Sequence, residues 1–108
     1  METSMDETTF NRLTDAVLAE LERRLEACGA DVDFEFVSAG VFEIECPDGS
    51  KVIVNRHGSA QEMWVAAKSG GFHFRLAGEQ WLDTRDGTEL FAKLAAVLTQ
   101  QCGESVAL

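Results

Sequence analysis

The amino-acid sequence predicts an α+β fold: a two-layer α/β sandwich with two helices packed on one face of a five- to six-stranded antiparallel sheet. Three observations predict it. Apolar residues recur at helical spacing near both ends of the chain. Between them lie short runs in which apolar and polar residues alternate. The connections between those runs are too short for crossover helices, so successive strands form a meander. Each helix has one apolar face, and two such faces laid on one side of the sheet leave its other side in water.

The first helix begins near Ser4, which with Glu7 fits a capping box; Thr8 is a second candidate cap. Phe10, Leu13, Val17, Leu21, Leu25 and Cys28 make its apolar stripe, and Gly29 stops it. Strands follow at Phe34–Val37 and Val41–Cys46, with Ala39-Gly40 as the turn between them. Pro47-Asp48-Gly49-Ser50 is a turn in which proline presets φ and glycine supplies positive φ. Lys51–Arg56, Glu62–Lys68 and Phe72–Leu76 are the next strands, and Glu79–Asp83 adds a short sixth. Asp86 caps the final helix, with Glu89 in capping-box position. Leu90, Phe91, Leu94, Val97 and Leu98 form its apolar face, and Gly103 ends it.

The 108 residues are the size of one domain, 1–108, and 45% are hydrophobic, enough for a core without metal or disulfide support. Nineteen acids face nine Lys and Arg, a net charge of −10, which repels nucleic acid and anionic membranes and favours cations and basic protein surfaces. No apolar run approaches the roughly 18 residues of a membrane span. The polar, acidic start from Met1 to Asp6 is unlike a targeting segment, so a cytoplasmic protein is expected. Cys28, Cys46 and Cys102 are odd in number and lack C-x-x-C spacing. That argues against a disulfide framework and a thiolate metal site, and three buried, reduced thiols are expected.

On a helical wheel at roughly 100° per residue, Asp15, Glu22 and Glu26 share a solvent-facing edge. Asp31, Asp33 and Glu35 alternate just beyond Gly29 and form a second row. Such oxygen ligands suit hard cations, while an ordinary solvated face has the same pattern. Glu20 and Arg24 form a plain i,i+4 pair. Trp64 shares a strand face with Glu62 and Ala66, and the pattern alone leaves core and surface open for it. His73 reads as structural, His57 as a loop residue able to touch a metal in passing, and Trp81 as packing at the sheet end.

Asn55-Arg56, then Trp64-Val65-Ala66-Ala67-Lys68-Ser69-Gly70-Gly71-Phe72-His73-Phe74, resemble the signature of the frataxin family. Asp48-Gly49-Ser50-Lys51, Trp81, Asp86-Gly87 and the acidic first helix with Phe10 and Leu13 match its bacterial, CyaY-type branch. The resemblance spans nearly the whole chain. It implies a helix–sheet–helix sandwich that binds ferrous and ferric iron weakly on an acidic ridge, here Asp15, Glu22, Glu26, Asp31, Asp33 and Glu35. It also implies docking on the cysteine desulfurase and the iron–sulfur scaffold protein as an iron-dependent regulator. Trp64 then lies on the surface, with Asn55, Arg56 and Lys68 as further partner contacts. The chain departs from the family at His57 and Glu62, where Gln is usual, and at Ser59, where Pro is usual. Asn11, Arg23 and Ala27 stand where bacterial relatives often carry further acids or His, and Arg23 weakens any cation beside it.

Two readings share this ridge: an iron-dependent adaptor of the desulfurase–scaffold complex, and a chaperone that hands Fe²⁺ to the scaffold. A third is an acidic interaction domain with no metal role. An enzyme is not expected: Glu-x-x-His spacing, a nucleophile–His–acid set and a phosphate-cradling glycine loop are all missing. Nothing in the sequence demands an oligomer, and a monomer is expected.

Overall fold

The computed structural model describes residues 5–108. The order is α1 (Glu7–Cys28), β1 (Asp33–Ser38), β2 (Val41–Glu45), β3 (Lys51–His57), β4 (Glu62–Ala67), β5 (Gly70–Ala77), β6 (Gln80–Asp83) and α2 (Leu90–Cys102). The strands form one antiparallel sheet in sequence order, the expected meander with its sixth strand present. Both helices cover one face of it.

The period-2 alternation explains which face. Phe42 and Ile44 of β2, Val52 and Val54 of β3, Met63 and Val65 of β4, and Phe74 of β5 are buried against the helices. From α1 come Phe10, Leu18, Leu21 and Leu25, and from α2 Leu90, Leu94 and Leu98. The α1 stripe is set one step round from the expected one. Leu18 and Thr14 are fully buried, whereas Leu13, Val17 and Cys28 are only partly covered. Thr14 is tolerated inside because its hydroxyl donates to the Phe10 carbonyl at 2.9 Å. Trp81 is buried at the sheet end, edge-on to Phe10 at 6.2 Å. No helix of the described residues is long and apolar enough to cross a membrane.

Three expectations are corrected. The cap of α1 is Asp6, whose carboxylate accepts from Thr9 N at 2.7 Å. Thr8 lies inside the helix, and Ser4 lies outside the described residues. The cap of α2 is Glu89, accepting from Phe91 N and Ala92 N, not Asp86. A bridge between Leu82 and Glu89 keeps the chain extended up to that point, so the helix cannot start earlier. Asp86 instead accepts from Thr88 N in the preceding turn and from Lys93 Nζ. Third, Cys46 and Cys102 are joined as a disulfide, and only Cys28 is free. Their 56-residue separation carries no local signal; helix-on-sheet packing brings the end of β2 and the last residue of α2 together.

Candidate functional site: an acidic rim and an aromatic sheet face

The six predicted ridge acids fall on two faces that meet at β1. Asp15, Glu22 and Glu26 stand on α1, with Asp15 and Glu26 exposed. Asp31 follows in the exposed connection to β1. Asp33 and Glu35 do not continue the helix row. Their strand neighbours Phe34 and Phe36 pair with Ile44 and Phe42, whose side chains enter the core. By alternation, Asp33 and Glu35 face away from the helices.

There they meet carboxylates that sequence reasoning missed. Asp33 pairs across the ladder with Glu45, and Glu35 with Glu43. These residues line a shallow concavity of about 120 Å³ together with Phe34. Like charges directly opposite each other on a sheet are destabilising, and one cation partly relieves them: Lys51 Nζ lies 3.2 Å from Glu43 Oε1. The hydrogen bond to Glu43 and the charges of Glu43, Glu45 and Glu35 raise the lysine pKa, against a smaller effect of burial. Glu104 adds a further acid, accepting from Asp31 N at 2.6 Å. The alternation Val41-Phe42-Glu43-Ile44-Glu45 was a readable signal for Glu43 and Glu45; Glu104 had none.

The donors are all carboxylate oxygens, a set that fits a hard cation such as iron. They are spread out, however. Among the described residues no three His, Cys, Asp or Glu side chains are arranged to hold one metal ion. Asp15 is also committed, since its Oδ1 accepts from Arg56 Nη1 at 2.6 Å. The predicted Glu20–Arg24 pair is present at 2.8 Å, and Glu20 also pairs with Arg23. Arg23 is thereby an occupied cation beside the ridge.

The second feature lies on the open sheet face. Trp64 is half-buried there, paired across the ladders with Asn55 on β3 and His73 on β5. Its indole is stacked on both sides. The His57 ring lies 3.8 Å away at 11°, and the His73 ring 4.4 Å away at 8°. His57 is the last residue of β3 rather than a loop residue, and its Nδ1 accepts from Ala60 N at 3.3 Å. The indole Nε1 donates to Glu62 Oε1 at 2.8 Å, and Arg75 Nη2 donates to Glu62 Oε2 at 2.6 Å. His73 Nδ1 lies 3.6 Å from Glu62 Oε1. Glu62, standing where the family usually has Gln, is therefore a buried anchor of this face, 6% accessible. Burial pushes its carboxyl up, but the bonds from Trp64 and Arg75 and the neighbouring positive charge outweigh it, leaving the pKa below the usual value.

Of the four predicted partner contacts, Asn55 and Trp64 share this face. Arg56 does not: pairing with Met63, it points toward the helices, where it bonds Asp15 and the Asn11 carbonyl. Lys68 does not either. It lies past the end of β4, its Nζ 3.2 Å from Asp48 Oδ2 and its backbone N donating to Gln101.

Residues 3–104 match the family model described as Frataxin-like domain. The chain is 54% identical over 104 residues to a protein of Dechloromonas aromatica named Iron-sulfur cluster assembly protein CyaY, covering 96% of this chain and 99% of that one. Among solved structures, frataxin from Psychromonas ingrahamii superposes with a TM-score of 0.88 at 29% identity, covering 95% of this chain and 97% of that one. A trimeric frataxin from the yeast Saccharomyces cerevisiae, complexed with ferrous iron, superposes at 0.66 with 26% identity, covering 96% and 92%.

Proposed function

Because the chain belongs to the frataxin-like family, we propose that it is an iron-binding protein of iron–sulfur cluster assembly, acting as an iron-dependent adaptor of the cysteine desulfurase–scaffold complex. The names of the bacterial relatives support the pathway, and the ferrous complex of the yeast neighbour supports iron as the cargo. The observation that carries the mechanism is the pair of carboxylate rows flanking β1: Glu22, Glu26 and Asp31 on the helix side, and Asp33, Glu35, Glu43 and Glu45 on the open sheet face.

An open rim of this kind attracts a basic protein patch and raises its encounter rate. Iron held there neutralises part of the same field. The cation thus reports iron supply by changing the charge that the desulfurase meets. With no three carboxylates gathered around one point among the described residues, binding is weak and exchange fast. Asp15 serves mainly to hold Arg56. Asn55 and the stacked Trp64 make the second contact area for the desulfurase–scaffold complex. In this reading the protein is a non-catalytic, cytoplasmic monomer. The chaperone alternative uses the same rim, and its open, exchangeable ligands suit delivery equally.

Interferometry on immobilised cysteine desulfurase separates these readings. Glu22→Lys with Glu26→Lys is expected to weaken iron-free binding roughly tenfold. Fe²⁺ is expected to weaken wild-type binding and to have little effect on the variant. Unchanged iron-free affinity in the variant, with Fe²⁺ still bound, moves the assignment to a chaperone.

A further inference from the structure

We propose that Cys46 and Cys102 form a reversible thiol–disulfide site, with a small-molecule disulfide such as oxidised glutathione as its oxidant, that fastens the end of α2 to the sheet. The inference is independent of the function proposed above. The bridge joins the residue just past β2 to the last residue of α2, their Cα atoms 4.9 Å apart.

The two sulfurs are brought together by contacts that do not need the bond. Cys46 closes the β2–β3 turn with its own backbone: its N donates to Ser50 O at 2.8 Å, and Gly49 N donates to its carbonyl at 2.9 Å. Beside Cys102, Gln101 Nε2 donates to Ser50 Oγ at 3.0 Å and to Lys51 O at 3.2 Å. The reduced dithiol is therefore already aligned for closure. Cys46 is 2% exposed, whereas Cys102 is half-buried, so exchange enters through the Cys102 sulfur.

Cys102 is also the point where the C-terminal tail leaves α2. The chain reverses at Gly103, and the tail is held by Val106 N donating to Thr99 Oγ1 at 3.0 Å. Through Glu104 the tail reaches the Asp31 amide of the acidic rim. Reduction removes the covalent tie and leaves the last turn of α2 and this tail held by the Gln101, Thr99 and Glu104 hydrogen bonds alone.

The exchange balances. The Cys102 thiolate attacks one sulfur of oxidised glutathione and releases one glutathione thiolate. The Cys46 thiolate then displaces the second. The protein dithiol loses two electrons, both glutathione sulfurs gain them, and the two cysteine protons end on the two glutathione thiols. Where glutathione keeps thiols reduced, the pair stands open and closes under oxidant.

The test equilibrates the full chain in glutathione buffers of varied redox ratio, then quenches with acid and counts reactive thiols by alkylation and mass. Three are expected under reducing conditions and one, Cys28, under oxidising conditions, with the melting midpoint rising by roughly 10–20 °C on closure. Cys28→Ser is expected to keep the transition, and Cys102→Ser to leave two reactive thiols at every ratio. Amide exchange over residues 99–108 is expected to slow on closure. Three reactive thiols in wild type at every ratio, or the same melting midpoint in both states, would overturn the proposal.

Discussion

Glu62 occupies a position where a carboxylate is costly, and three neighbours offset the cost. Trp64 and Arg75 each donate a hydrogen bond to it, and His73 stands close by. Its folded pKa lies below the ordinary 4.5, so the ionised form is favoured by folding. That contribution is fully present above about pH 4.5 and is lost as pH falls through the folded value. Glu62→Gln keeps an acceptor for the indole but removes the charge facing Arg75. It is expected to cost about 1–2 kcal/mol in urea unfolding at pH 7, and clearly less at pH 3. An equal cost at both pH values would show that the charge is not what matters. His57→Ala removes one wall of the stack and is expected to shift Trp64 fluorescence toward the red while leaving the fold intact. The surface placement of Trp64 follows from the family pattern, since strand alternation alone leaves core and surface open for it. The anchoring role of Glu62 was hidden, because it depends on Arg75 and His73 from a neighbouring strand and no local spacing records that register.

The β1–β2 hairpin is the element that joins the two halves of the site. It presents Asp33, Glu35, Glu43 and Glu45 on one face, and its turn touches Arg56 behind. Gly40 has φ +74, and a Cβ there would come within 2.5 Å of Arg56 Nε and 2.8 Å of Arg56 Cγ. Gly40→Ala must therefore strain the turn and push Arg56 off Asp15. A loss of about 1–3 kcal/mol in denaturant unfolding is expected, accompanied by chemical-shift changes at Asp15 on the distant helix. Shifts confined to the hairpin would refute the link. Helix and strand types were readable from periodicity throughout, and strand bounds moved by only a residue or two. The caps were not. Several capping-capable residues precede each helix, and tertiary contacts decide among them. For α2 the deciding contact is the Leu82–Glu89 bridge.

At the scale of the whole molecule, charge and fold act together. A net charge of −10, with Asp33, Glu35, Glu43 and Glu45 gathered on the β1–β2 hairpin, makes association with a basic partner sensitive to salt. Desulfurase affinity is expected to fall roughly tenfold between 50 and 300 mM salt, mostly through the association rate. A salt-independent affinity would place the contact on the Trp64 face alone. The two-layer sandwich and its meander were legible because every connection is short. The disulfide was not, since its cysteines meet only after α2 has docked. The split of the six acids between two faces was legible in principle from the alternation of Asp33, Phe34, Glu35 and Phe36, once strand and helix faces are kept apart.

The most direct test of the central claim is an anaerobic ¹H–¹⁵N NMR titration with Fe²⁺, repeated with the cysteine desulfurase present. Broadening confined to Glu22, Glu26, Asp31, Asp33, Glu35, Glu43 and Glu45, with weaker effects at the Arg56-bound Asp15, is the predicted result. Desulfurase is predicted to perturb the same rim in competition with iron. No localised response to Fe²⁺, with the spectrum otherwise that of the folded protein, would contradict the account and leave an acidic interaction domain of frataxin fold without a metal role.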